Sequence, residues 1–512
     1  MLRRTLTRRA ALAFGAALLV VAATNLAATA KTYYVDPAGS DNQGDGSKRK
    51  PWKTLAHAVK NVPTAQAHTI HLNQGIFTET VPSIVPPGIS IEGEGADKTV
   101  IKSGIDDFLL QLESAPVVEG NQILSNFKIE GQNRNLKGGI FVRGRHNVII
   151  RGVDFEEIDF TGLQIIAEWT SSRTTPPATY LNGIEVDNCN FKNCSKDLDK
   201  WSSGCLHIGG LKEAKIHDIK IQEDRGYGIK FFAWGWFKGI KIYNCELAVP
   251  DSDPLWKADS ALELWRLFDD CEIYNVKSNQ WFSLVGGDKG KGTRSVTVHD
   301  CEIIVKRSDE QYLQGIEATV SDSEFYNNYF ENPGSFGAFA MWGGEPLSNI
   351  LIHHNIVRGG TNTNALAFVQ SDDSADFSDI KFYNNLCENL EFGVKLKPVG
   401  TGEIRKVEIK NNIFIDVKTA ILAYNAPNKI RDTAIAFNCF YQVEKTFKEE
   451  KGKTVNTNFE NNIEVDPELI GSGKNREQYY KPKSAKSPVV DAGIEVGLPY
   501  KGKAPDMGVY EY

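Results

Sequence analysis

Five ionisable or hydroxyl-bearing side chains recur at one position of a short extended motif between Gly204 and Trp342. The motif reads apolar, polar, apolar in Leu206-His207-Ile208, Ile229-Lys230-Phe231, Leu262-Glu263-Leu264, Phe282-Ser283-Leu284 and Ile316-Glu317-Ala318, and it becomes wholly apolar in Phe339-Ala340-Met341. Period-two alternation turns each middle residue to the face opposite its neighbours. Stacked copies would therefore line up His207, Lys230, Glu263, Ser283 and Glu317 as one outward column. A base, an ammonium and two carboxylates in such a column could transfer protons, neutralise an anion or hold a cation. Two residues further along the same strands stand Phe232, Trp265 and Trp342, with Arg143 at that place on an earlier coil and Arg266 beside Trp265.

That column needs a fold that superposes distant segments, and a second repeat supplies the pattern. Its copies include Val186-Asp187-Asn188-Cys189-Asn190-Phe191, Val298-His299-Asp300-Cys301-Glu302-Ile303, Phe325-Tyr326-Asn327-Asn328-Tyr329-Phe330 and Ile409-Lys410-Asn411-Asn412-Ile413-Phe414. Copies starting at 298, 325, 352, 382, 409 and 435 are 27, 27, 30, 27 and 26 residues apart. No copy has helical spacing; each offers short β-rich pieces broken by Gly, Asn and Asp. The fold class expected is all-β, a right-handed parallel β-helix with two or three strands per turn. Asn328, Asn355, Asn385, Asn412 and Asn438 at the fourth motif position are expected to tolerate a left-handed bend and to hydrogen-bond from coil to coil.

The ends of the chain complete the organisation. Residues 1–30 read as a signal peptide: Arg3, Arg4, Arg8 and Arg9, an apolar run from Ala10 to Ala23, then Ala28-Thr29-Ala30. A secreted or periplasmic product follows, with no membrane span in the mature chain. Residues 31–512 are expected to form one domain. Residues 31–104 make an N-terminal cap and the first coils, with a short capping helix around Thr54–Val59; 105–443 are repeat coils, and 444–512 a closing segment. A stacked array needs such end covers because its first coil leaves an apolar interior open to water.

Net charge is −7, and removing the four positive charges of residues 1–30 leaves −11, which gives no support to nucleic-acid binding. Of the eight cysteines, Cys189, Cys245 and Cys301 share one repeat position and read as small buried core residues in preference to disulfides. Asp251, Asp253 and Asp259 lie in a proline-containing loop and read as a solvated acidic turn.

The repeats, the opening Tyr33-Tyr34-Val35-Asp36-Pro37-Ala38-Gly39-Ser40-Asp41 with Pro51-Trp52-Lys53-Thr54, and the closing Ser487-Pro488-Val489-Val490-Asp491-Ala492-Gly493 with Pro505-Asp506-Met507-Gly508 resemble secreted bacterial right-handed parallel β-helix proteins. That grouping includes pectate, alginate and chondroitin lyases and several glycoside hydrolases. The resemblance covers nearly the whole mature chain and implies fold and secretion, but no aspartate cluster of the Asp-Asp-Gly-Trp-Asp kind is present from which catalytic residues could be transferred.

The chemistry expected is β-elimination from an acidic, uronate-containing extracellular polysaccharide by a monomeric chain. Arg266, Lys230 or a bound Ca²⁺ would neutralise the substrate carboxylate, and Lys230 or His207 would remove the adjacent proton. Glu263 and Glu317 would serve as calcium ligands, while Trp265, Trp342, Phe232 and Arg143 bind sugar. The alternative is an inverting glycoside hydrolase using Glu263 and Glu317, which on stacked coils would lie about 10 Å apart, near the upper end of the inverting range. A third reading is a non-catalytic glycan-binding or envelope protein. Lys395 resumes charge at the column position after Ala340 and Ala367.

Overall fold

The computed structural model describes residues 30–64, 66–195, 203–249, 260–286, 295–305, 314–359, 365–372, 374–476 and 478–512. Residues 1–29 of the proposed signal segment and the acidic loop of Asp251, Asp253 and Asp259 lie outside these residues. The described chain is an all-β parallel β-solenoid of about 13 turns with one short α-helix. No helix among the described residues is long and apolar enough to cross a membrane.

Three stacks of strands build the coils. The repeat's apolar first position forms one interior column, in which Ile216, Ile242, Ile273, Val298, Phe325, Ile352, Phe382, Ile409 and Ile435 succeed one another in parallel register. All nine side chains are fully buried, and removing each from water contributes on the order of 1.5–3 kcal/mol. Any one-residue slip would turn such a row outward, so burial fixes the register.

The asparagine ladder carries the bend between the second and third stacks. Asn328 Nδ2 donates to Asn355 Oδ1, Asn355 to Asn385, Asn385 to Asn412 and Asn412 to Asn438, each at 3.0 Å, and Asn438 continues to Asn462 at 2.9 Å. The two tasks expected of one asparagine are divided between neighbours. Positive φ falls on the third motif residue, as in Asn188 (49°), Asn327 (53°), His354 (52°) and Phe437 (55°), while the ladder residue turns inward. A side chain buried in the bend satisfies backbone groups, and the residue before it absorbs the left-handed turn.

Near the N-terminus, the helix Leu55–Asn61 buries Leu55, Ala58 and Val59 against the first coils. Its free amides are satisfied from two directions: Thr54 Oγ1 accepts from His57 N, and Glu79 on a neighbouring strand accepts from Leu55 N at 2.7 Å and Ala56 N at 3.2 Å. Burial raises the Glu79 carboxyl above its usual range despite those two bonds. At the other end, Tyr480, Val489, Met507 and Val509 form a second apolar cluster with Tyr329, Ile356, Leu386, Ile413 and Cys439. The final segment thus runs along the flank of several coils.

All eight cysteines are buried free thiols. Cys189, Cys245 and Cys301 donate to backbone carbonyls two residues back, and burial raises each to about 12. They are packing residues.

Candidate functional site

Strand pairing places the column in the order expected: His207, Lys230, Glu263, Ser283, Glu317 and Ala340 are register partners on successive coils, and Gln164 precedes them as the partner of His207. Phe368, one residue beyond Ala367, takes the next position, followed by Lys395. The column points away from the solenoid core, yet most of it is buried, and the 167–181 loop and aromatic side chains fold across these coils.

His207 is only 1% exposed. Its Nε2 accepts from Gly204 N at 2.8 Å, and its ring lies between Phe232 and Phe160. Burial, reinforced by the Lys230 ammonium, lowers its pKa to about 3, which leaves a neutral imidazole at neutral pH. Phe232 in turn meets Trp169, so both belong to a lid over His207.

Lys230 and Glu263 form a buried ion pair through Nζ and Oε2. The ammonium also lies 3.4 Å from the centroid of the Tyr227 ring. Burial lowers the lysine pKa, and Glu263 opposes that shift. Glu263 therefore already holds a cation. Glu317, two register steps away, accepts from Ser283 Oγ and from the Trp342 indole. Burial holds its carboxyl above the usual glutamate range; the Glu263 charge adds to the rise, and the two hydrogen bonds oppose it. Glu263 is thus engaged by Lys230, and Glu317 by Ser283 and Trp342.

A groove of about 280 Å³ opens at Glu317. Trp265 and Trp342 stand along it, Thr319 and Val285 continue its floor, and Arg173, Arg266 and Glu345 contribute charge. Trp342 is 39% exposed and Trp265 stacks on Phe231 at 4.6 Å. Arg266 reaches the groove through a β-bulge: the register shifts between Trp265 and Leu267, and Arg266 takes φ of 64°. A left-handed arginine costs about 1 kcal/mol or more, a strain that re-aims its side chain. Its Nε donates to Arg173 O at 3.0 Å, tying strand to loop.

Of the residues expected to act together, Glu317, Arg266, Trp265 and Trp342 share this groove. His207, Lys230 and Glu263 underlie it on the N-terminal side. Arg143 lies elsewhere, paired to its register neighbour Glu113 at 2.8 Å on an earlier coil. Arg173, Thr319 and Glu345 were not foreseen. Arg173 belongs to a polar, proline-containing loop whose Ser171 Oγ donates to Ala233 O and whose Ser172 O accepts from the Trp236 indole. A long interruption of the repeat was the available signal; its path across the coils depends on contacts that no local pattern encodes.

Among the described residues the one group of three metal-type ligands is Glu185, Asp187 and His217, on a different face. The Arg151 guanidinium already bonds both carboxylates there, at 2.7 Å and 2.8 Å.

No family model matches the sequence. An uncharacterized protein of Bacillus subtilis, YwoF, is 25% identical over 158 residues, a match that spans 30% of this chain and 29% of that one. Among solved structures the chain is similar to XylC in complex with xylose (12% identity, 86% of this chain and 88% of that one, TM-score 0.37). It is similar also to an alginate lyase from Paenibacillus sp. (13%, 64% and 99%, TM-score 0.40) and to the catalytic unit of a GH87 alpha-1,3-glucanase from Streptomyces thermodiastaticus (12%, 84% and 68%, TM-score 0.41).

Proposed function

We propose that the protein is a polysaccharide lyase that cleaves a uronate-containing glycan by β-elimination in the Glu317 groove. The observation that carries this reading is one shared groove holding two arginines, a carboxyl with raised pKa and two tryptophan faces. Arg173 and Arg266 are suited to a sugar carboxylate, since a guanidinium presents paired donors to paired oxygens. Neutralising that carboxylate acidifies the neighbouring C5–H. Trp265 and Trp342 offer flat apolar surfaces to the faces of sugar rings.

In this reading ionised Glu317 takes the C5 proton. The electrons of the broken C–H bond form the C4–C5 double bond, and the C4–O bond breaks with its pair on the departing oxygen. The carboxyl then returns its proton to that oxygen, so one residue closes the cycle without a second acid. Lys230 and Glu263 are positioning residues in this scheme. Their pair sets the field around Glu317, and Ser283 fixes the rotamer of its carboxylate. No step needs calcium.

The hydrolytic alternative has weaker support, because Glu263 is held in an ion pair with Lys230, leaving it poorly placed to activate water. Residues 1–30 would deliver the enzyme to extracellular polysaccharide. Incubation with a panel of acidic and neutral polysaccharides tests the proposal. New absorbance from unsaturated uronate ends is expected on an acidic polymer alone; reducing ends without that absorbance would replace elimination by hydrolysis.

A further inference from the structure

The groove face continues toward the C-terminus, and its character changes from mixed to cationic. The row that carries Trp342 passes to its register partner Gln370, and Lys397 and Tyr424 follow on the next two coils. The row that carries Glu317 passes through Ala340 and Phe368 to Lys395. Three strand steps separate Trp342 from Tyr424, about 14 Å at ordinary parallel spacing.

Three lysines converge on one phenol there. The ammonium groups of Lys451, Lys395 and Lys397 lie 4.9, 5.6 and 6.0 Å from the centroid of the Tyr424 ring. Lys395 and Lys397 also lie 5.4 and 5.8 Å from the ring of Phe368. Neither Lys395 nor Lys397 has an ion pair among the described residues. The carboxylates that reach Lys395 electrostatically are committed elsewhere: Glu450 to Lys448, and Glu391 to Lys418 at 3.9 Å. A hydrogen bond from Lys451, with the charges of all three lysines, holds the Tyr424 phenol below its usual range.

Like charges gathered on one small surface repel one another, and burial adds to the cost at Lys395, whose pKa is lowered by desolvation first and by Lys397 next. An anion seated among them relieves that repulsion, and flat rings beside it suit a sugar. The geometry points to a second binding site at Lys395, Lys397, Lys451 and Tyr424 that takes an anionic sugar residue, carboxylated or sulfated, of a glycan lying along the solenoid axis. This inference rests on the proposed function for the claim that the same glycan enters the Glu317 groove; the anion site itself does not depend on cleavage.

The test measures binding of alginate, polygalacturonate and chondroitin sulfate oligosaccharides, and of their carboxyl-reduced or desulfated forms, to Glu317→Gln protein by calorimetry. The same measurements are made with Lys395→Gln/Lys397→Gln and Lys395→Arg/Lys397→Arg added. At least one anionic oligosaccharide is expected to bind, with affinity that falls at high salt. The glutamine pair is expected to weaken it by roughly tenfold or more, and the arginine pair to retain it. Loss on carboxyl reduction identifies a carboxylate ligand, and loss on desulfation a sulfate. Absence of binding by every anionic oligosaccharide, equal binding by the glutamine pair, or an equal loss on the neutral forms would overturn the inference. Cleavage by wild-type protein is read separately. Unsaturated product with unchanged affinity in the glutamine pair defeats this site alone, and lysine-dependent binding without product defeats the lyase reading alone.

Discussion

Ser283 and Glu317 are register partners on adjacent coils, and the serine hydroxyl donates to Glu317 Oε2 at 2.5 Å. That bond favours the ionised carboxylate while burial and Glu263 favour the protonated one. The sign decides the pH profile. A base must be ionised, so lyase activity is expected to rise with pH through a midpoint above the ordinary glutamate value of about 4.3. Ser283→Ala removes a bond worth about 1.5 kcal/mol to the charged form and should move the midpoint up by about one unit. Initial rates across pH for both proteins check this; a limb that falls with pH at that midpoint would instead mark Glu317 as a general acid.

The Lys230–Glu263 pair is buried, so breaking it is expected to cost more than making it gains. Lys230→Met leaves an uncompensated carboxylate and should lower unfolding stability by about 3–5 kcal/mol, whereas Lys230→Met/Glu263→Leu should recover much of that loss. Denaturant unfolding of the single and double variants distinguishes a structural pair from two independent residues.

Trp342 donates to Glu317 and offers an exposed face to the groove. Trp342→Phe keeps the face and loses the donor. Trp342→Ala loses both and is expected to raise KM by roughly tenfold, with the phenylalanine variant nearer wild type in KM but shifted in pH profile. Steady-state kinetics on the polymer identified by the panel give the comparison.

Because Glu263 is held by an ammonium and no reaction step runs through a metal, chelation is expected to leave activity unchanged. Rates measured after exhaustive treatment with EDTA, with and without added Ca²⁺, decide the matter. A calcium-dependent rate would return Glu263 and Glu317 to the ligand role that their residue types suggested.

Within the ladder, Asn385 bonds to both neighbours and to Ile352 O. Asn385→Ala strands several buried backbone and amide groups and is expected to destabilise by about 2–4 kcal/mol. Asn462, at the exposed end of the ladder, should cost less. Thermal denaturation of the two variants ranks them.

The column from His207 to Glu317 was legible in the sequence because period-two alternation and the coil repeat are both local properties, and register follows from them. The ladder was legible for the same reason, although its left-handed residue is Asn327 or His354 and not Asn328 or Asn355. What covers the column was hidden. His207 and Lys230 look outward by alternation, whereas the path of the 167–181 loop and the packing of Phe160, Trp169 and Phe232 help to bury His207. Arg173 enters the groove by that same path, and Arg266 by a bulge that alternation alone would not place.

The most direct measurement is the initial rate of unsaturated-product formation by Glu317→Gln beside wild type, on the acidic polysaccharide that wild type cleaves. A fall of roughly a hundred- to ten-thousandfold is expected, with substrate binding by calorimetry preserved. A glutamine variant that forms the unsaturated product at the wild-type rate would contradict the assignment of Glu317 as the group that moves the proton.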